Sequence, residues 1–249
     1  MPPDILALAS APFIGSFIAV LAHRYPRLRA ALWGRSQCPT CSQTLGVLDL
    51  VPIASWLACR GRCRYCNGRI AAFYPATELG ALAIAVWASR IDSGWPLWAS
   101  CLLGWSLLAL ALIDMRRLVL PDALTIPLAA AGLVLVALRN GPLADHAIGA
   151  VIGFVAFAAL GQGYRAVRGR DGLGLGDAKL LAAGGAWLSW TGLPSAVLIA
   201  AMTALAATTL AAWISRRPID MTQRIPFGPF LAFGIWAVWL HGPIDLASP

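Results

Sequence analysis

The sequence predicts an all-α polytopic membrane protein of about eight transmembrane helices, with one small polar loop domain between the first and second. Three observations carry this expectation. Of 249 residues, 59% are hydrophobic and 12% charged, and the mean hydropathy of +0.72 is too high for a soluble domain. Apolar runs follow one another through short connections and leave a single sizeable polar stretch. Nearly all the basic residues gather in alternate connections, as a fixed membrane orientation requires.

The runs fall near residues 5–22, 72–90, 95–113, 123–138, 144–164, 178–191, 193–215 and 227–244. Crossing a bilayer unaided takes roughly 20 helical residues, so several runs are short. The run at 178–191 is the weakest and reads as half-buried or re-entrant. Met1-Pro-Pro-Asp4 lacks the basic start of a cleavable signal, so the first run is expected to stay as a helix. Eleven tryptophans suit anchoring at two membrane surfaces. With the N-terminus outside, one side holds Arg24, Arg27, Arg29, Arg35, Arg60, Arg62, Arg64 and Arg69. The same side holds Arg116, Arg117, Arg165, Arg168, Arg170, Lys179, Arg216, Arg217 and Arg224, and only Arg90 and Arg139 lie opposite. The basic side is cytoplasmic by the positive-inside rule. Residues 1–22 are then the first transmembrane helix, 23–71 a cytoplasmic loop domain and 72–249 the remaining membrane domain. A net charge of +8 and a pI near 9.8 would suit nucleic acid. Membrane asymmetry accounts for the same arginines, so the bilayer is the expected partner and nucleic acid is not. Gly149 with Gly153, and the pair Gly184-Gly185, mark places of close helix packing.

The loop domain is too small to build a confident core and needs a staple. Cys38-Pro-Thr-Cys41 and Cys63-Arg-Tyr-Cys66 supply one. Two CxxC turns offer four thiolates, the ligand set of a closed structural Zn2+ site, and four cysteines leave no open position for catalysis. A cytoplasmic location argues against disulfides. Cys59 is a spare thiol or an alternative ligand, and Cys101, inside an apolar run, is a packing residue.

Two aspartates carry the chemistry. Asp114 ends the run Trp105–Ile113, and Asp177 closes Gly172-Leu-Gly-Leu-Gly-Asp at the start of another. An ionisable group at membrane depth is costly and reads as functional, with a partner nearby. Two such carboxylates form the acid/base pair of an aspartyl protease, one ionised to activate water and one protonated to bond the carbonyl oxygen. The glycines before Asp177 allow close backbone approach. Asp122, after Pro121, is the rival, but it stands where a helix cap is wanted. Lys179 points away from Asp177 and answers lipid or loop carboxylates. His23, His146 and His241 are scattered, and no serine or cysteine has an evident base beside it.

Taken in order, the phrases resemble a known family. They are Gly15-Ser-Phe-Ile-Ala-Val20 with Arg24-Tyr-Pro26, both CxxC pairs, Asp49-Leu-Val-Pro-Ile-Ala-Ser-Trp56, and Arg60-Gly-Arg-Cys-Arg-Tyr-Cys66. Tyr74-Pro with Glu78, Asp114, Leu120-Pro-Asp-Ala-Leu-Thr125, Gly174-Leu-Gly-Asp177-Ala-Lys-Leu and Gly185-Ala-Trp-Leu follow. Over nearly its whole length the chain resembles the type IV prepilin peptidases, bifunctional leader peptidases and N-methyltransferases of pilus and type II secretion systems. The resemblance implies Asp114 and Asp177 as the catalytic pair, with Asp122 secondary. It implies removal of the basic leader of prepilins or pseudopilins at the cytoplasmic face of the bacterial inner membrane. It also implies methylation of the new N-terminus from S-adenosylmethionine, and zinc as loop scaffolding. One departure is Ala19, where the family usually has asparagine in a phrase linked mainly to methylation. The competing readings are a peptidase alone, a non-catalytic zinc-bearing assembly factor, a presenilin-like intramembrane protease, and a proton-coupled transporter. The last two lack, respectively, the Tyr-Asp and Pro-Ala-Leu phrases and any inverted repeat.

Overall fold

A computed structural model of the chain describes residues 3–27, 33–169, 172–216 and 226–244. Arg29, Arg170, Arg217 and Arg224 of the basic set lie outside the described residues. Among those described, eight α-helices occur: α1 (Pro3–Arg24), α2 (Ala54–Ala58), α3 (Phe73–Ala88), α4 (Trp95–Arg117), α5 (Asp122–Leu138), α6 (Leu143–Arg168), α7 (Leu175–Ser215) and α8 (Gly228–His241). Apart from the one-turn α2, which lies in the polar loop, and α7, which covers two runs, each helix coincides with one expected apolar run. Asp4–Arg24, Trp95–Arg117, Leu143–Arg168 and Leu175–Ser215 are long and apolar enough to cross a membrane, while α3, α5 and α8 are shorter apolar helices.

The chain forms two compact units, Met1–Ala109 and Leu110–Pro249. In the first, α1 packs on α3 and both bury alanines, among them Ala7, Ala11, Ala81, Ala85 and Ala88. Small side chains let helix backbones meet where lipid offers no hydrophobic drive. At Gly15 the approach is closest: a Cβ there would stand 2.6 Å from the Cα of Glu78. The indole N–H of Trp105 bonds the Ala81 carbonyl at 3.0 Å, and the Gly94 N–H bonds the Asp4 carboxylate at 2.9 Å. These two bonds tie α4 and the α3–α4 turn to the rest of the unit.

In the second unit α7 packs against α5, α6 and α8. The contact with α6 runs through glycine on both sides. A Cβ on Gly185 would collide with the Gly149 carbonyl, and one on Gly153 would stand 2.7 Å from the Leu181 oxygen. The expectation of close packing at these glycines is met.

Helix α7 is not one straight rod. Ser189 has φ 61° and ψ 179°, which breaks the helix, and its hydroxyl meets that of Thr191 at 2.7 Å. Gly184 faces Ile235 of α8, while Gly234 faces the backbone of Ala196 and Ala200. In a straight helix residues 184 and 200 would be about 24 Å apart; here both press on adjacent residues of α8. The chain therefore folds back at Ser189, and the two runs expected at 178–191 and 193–215 are the two arms of α7. The first arm packs at its start and middle on α6 and α8, which is why a segment too short to stand alone holds its place.

Candidate active site

Two groups of chemically able side chains are assembled, one in each unit. In the second unit, Asp114 lies in the last turn of α4 and Asp177 in the first turn of α7. Both side chains are buried, with Asp114 6% and Asp177 9% exposed. They are linked through α8, whose first N–H bonds Asp114 and which packs against the helix that carries Asp177. Each carboxylate is also held by a backbone donor. The Gly228 N–H, at the start of α8, donates to Asp114 Oδ2 at 3.0 Å. That N–H is one of the four that a helix start cannot satisfy internally, and it sits at the positive end of the helix dipole. The Gly174 N–H donates to Asp177 Oδ2 at 3.3 Å, while the Asp177 N–H returns a bond to the Gly174 carbonyl at 3.1 Å.

The glycines of the second phrase are used as spacing demands. A Cβ on Gly172 would run into the Tyr164 ring at 2.5 Å, and one on Gly176 would meet Leu120 at 3.1 Å. Leu120 thus sits directly beside the turn that carries Asp177. Gly228 was not singled out from sequence. Its Cβ would lie 2.6 Å from Asp114 Oδ2, so only glycine lets α8 reach the carboxylate. The one signal available was Phe227-Gly-Pro229, which opens an apolar helix with proline in its first turn.

Asp122 takes a different place from the one expected. Pro121 is the cap of α5, no side chain caps that helix, and Asp122 is its first residue. Its carboxylate pairs with Lys179 at 2.6 Å, both groups being well exposed. The Leu124 and Thr125 N–H groups both bond the Pro121 carbonyl at 3.0 Å, and the Asp122 carboxylate, one residue inside the helix, turns to the lysine instead. Lys179 does answer a carboxylate outside the buried pair. His146, for its part, is engaged with the Ala186 carbonyl at 3.0 Å.

In the first unit, Cys38, Cys41, Cys63 and Cys66 bring their sulfurs within 4.8 Å of one another. The Cys38 and Cys66 sulfurs are 3.8 Å apart, the separation that four thiolates about 2.3 Å from a tetrahedral Zn2+ would have. The two turns are built alike. The Cys38 N–H bonds the Gln43 carbonyl and the Cys63 N–H bonds that of Gly68; Ser42 and Asn67 each take a positive φ. Single antiparallel bridges, Gln37 with Thr44 and Arg62 with Arg69, close them. Backbone N–H groups, that of Cys41 foremost, lower the Cys38 thiol to about 6 despite its burial. At Cys66 the Gly68 N–H favours the thiolate, but burial and the surrounding thiols outweigh it and push the group up to about 12. Four thiols in one place cannot all ionise without a cation, and the donor set fits zinc. Cys59 stands outside this cluster. Asp49 braces the second turn: it accepts from the Tyr65 hydroxyl at 3.2 Å and pairs with Arg64 at 3.3 Å.

Comparison with known proteins matches both units. Residues 10–90 match the bacterial peptidase A24 N-terminal domain, and residues 101–209 match the type IV leader peptidase family. A prepilin leader peptidase/N-methyltransferase of Aeromonas salmonicida is 37% identical over 92% of this chain and 87% of its own length. One from Burkholderia pseudomallei is 39% identical over 92% and 82%. Another, from Stutzerimonas stutzeri, is 31% identical over 98% and 92%. No solved structure matches. Matched along nearly its entire length, the chain belongs to the type IV leader peptidase family.

Proposed function

We propose that this protein removes the short basic leader of type IV prepilins, or of type II secretion pseudopilins, with Asp114 and Asp177 as its catalytic pair. The observation that carries the reading is the pair of buried carboxylates at helix ends, each bonded by a glycine N–H. Two carboxylates that act on one scissile bond favour one shared proton. The ionised carboxylate takes a proton from water as that water attacks the scissile carbonyl. The protonated one bonds the carbonyl oxygen and later supplies the leaving amine. The Gly228 and Gly174 N–H groups hold the two carboxylates in position through these steps.

The eight apolar segments cross the bacterial inner membrane with the N-terminus outside and the aspartates at the cytoplasmic face, as the arginine distribution supports. Cys38, Cys41, Cys63 and Cys66 hold a structural Zn2+. The N-methyltransferase activity in the relatives' names extends to this chain, with S-adenosylmethionine as methyl donor. Ala19 favours a second reading, peptidase alone.

Asp114→Asn and Asp177→Asn are each expected to abolish leader removal from a co-expressed prepilin while the protein still inserts. Normal cleavage by either variant would end the assignment, and inactivity of Asp122→Asn alone would require redrawing the pair. Mass spectrometry of the processed N-terminus distinguishes the bifunctional enzyme from the peptidase.

A further inference from the structure

The loop between α1 and α3 turns a row of apolar side chains outward. Val47, Leu48 and Leu50 lie on a single 3₁₀ turn, Val47–Leu50, and Val51 follows it. Leu57 stands on α2, which packs against that turn. All five are exposed, Val47 at 85% and Leu48 at 70%. Asp49, the acid of the turn, is withdrawn from this surface. Its carboxylate accepts the Gly46 N–H at 3.1 Å and the Tyr65 hydroxyl at 3.2 Å, and it pairs with Arg64. An exposed apolar patch of this kind marks a membrane or partner surface. Two contacts fix the depth at which it lies. The Ile53 N–H, between Val51 and α2, donates to Glu78 Oε2 at 2.7 Å. Glu78 packs level with Gly15, seven residues before the end of the first apolar run at residue 22, or about 10 Å along α1. A glutamate side chain and one hydrogen bond together span less than that, so the loop backbone at Ile53 lies within the depth of the membrane helices. At the end of α1, Arg24 donates to the Gly34 and Arg35 carbonyls at 3.2 and 3.0 Å. This holds the neighbouring Trp33, 87% exposed, at the helix end, where tryptophan acts as an interfacial anchor.

We propose, on the membrane reading above, that this loop is seated in the cytoplasmic leaflet, with its apolar row among the upper acyl chains and its arginines on anionic lipid headgroups. The partner follows from charge. Residues 23–71 hold eight arginines and a single acid, Asp49, a balance that suits an anionic lipid surface. A second copy of the chain would bring the same positive charge to the same face and be repelled. Amphipathic segments of this kind sink about 5–10 Å into the boundary between headgroups and acyl chains, which is the depth at which Glu78 holds Ile53.

Photocrosslinking tests the seat. Full-length protein carrying benzoylphenylalanine in place of Leu48 is reconstituted into vesicles of phosphatidylethanolamine and phosphatidylglycerol, irradiated, and weighed by mass spectrometry. Lipid adducts are the expected product. Val51→Asp together with Leu57→Asp should cut their yield about tenfold, because two carboxylates then have to be desolvated where aliphatic groups were buried. Replacing phosphatidylglycerol by phosphatidylcholine should cut it about fivefold, the effect of one arginine leaving an anionic surface. Melting temperature shows that each protein is folded, and resistance to alkaline extraction from the vesicles tests the membrane reading separately. Crosslinks to a second copy or within the chain in place of lipid, an absence of adducts, or a yield unchanged in the folded double variant each overturn the seat. A yield indifferent to phosphatidylglycerol overturns the anionic partner.

Discussion

Replacing Gly228 by alanine adds one carbon at the point where α8 touches Asp114, and the consequences follow from the contact distances. The new Cβ would stand 2.6 Å from Oδ2 and 3.0 Å from Cγ of the carboxylate, while ordinary contact begins at 3.4 Å. The carboxylate and the helix start must therefore separate by about 0.8 Å, a full steric correction. Separation lengthens the 3.0 Å bond from the Gly228 N–H past useful geometry. Losing a hydrogen bond to a buried charged group costs about 1.5–3 kcal/mol, and misplacing a reacting group by about 1 Å costs about 10²-fold. Both routes give a fall in kcat/KM of roughly ten- to a hundredfold. Stability moves less, because alanine is favoured over glycine in a helix by up to about 1 kcal/mol. The assay is leader removal from a purified prepilin in detergent, followed by gel shift. Gly163→Ala is the control, since nothing stands within 4 Å of its Cβ position. Cleavage by Gly228→Ala within twofold of wild type would refute the argument that this glycine positions Asp114.

Further outcomes are expected elsewhere in the molecule. Asp122→Asn removes only an exposed pair with Lys179; leader cleavage should stay within about threefold of wild type and stability within about 1 kcal/mol, both measurable on one preparation. Metal retention should depend steeply on pH. In the metal-free loop Cys38, lowered to about 6 from 9, contributes stability that is complete above pH 9 and lost as pH falls through 6. Cys66, raised to about 12, has the opposite sign and ionises only when metal displaces its proton. Chelator competition should therefore extract zinc far more easily at pH 5.5 than at pH 8, and a flat profile would contradict the thiolate site. Gly185→Leu should separate α6 from α7, because even a Cβ collides with the Gly149 backbone. A loss of about 1–3 kcal/mol or more should appear as a lower melting temperature, with activity falling as the protein unfolds.

What could be read from the chain and what could not divides by the range of the interaction. Run length and composition located the apolar helices, because burial in lipid acts on contiguous segments. The break between the arms of α7 was legible as two runs, although nothing local announced that Ser189 would take a positive φ. The four cysteines were legible as a cluster because CxxC is a local turn and metal geometry joins two of them. Asp177 with its glycines was legible for the same reason, since Gly174 lies three residues away. Gly228 was not, for its partner is 114 residues distant and Phe227-Gly-Pro229 reads only as a helix start. Asp122 was misread because a cap position looks identical whether or not Lys179, 57 residues on, draws the carboxylate away. Glu78 was recognised only as part of a phrase. The bond it accepts from the Ile53 N–H, at 2.7 Å, depends on how the loop folds back over α3.

The bond between Gly228 and Asp114 also has a consequence for biosynthesis. The aspartate leaves the ribosome 114 residues before the glycine that completes its setting, an interval of about 6–23 s at 5–20 residues per second. Through the last 51 residues of that interval the nascent chain carries both aspartates, yet lacks the final helix that orients one of them. On the proposed function, hydrolytic competence is then withheld until the last helix has docked, and a chain stalled before residue 228 stays inactive.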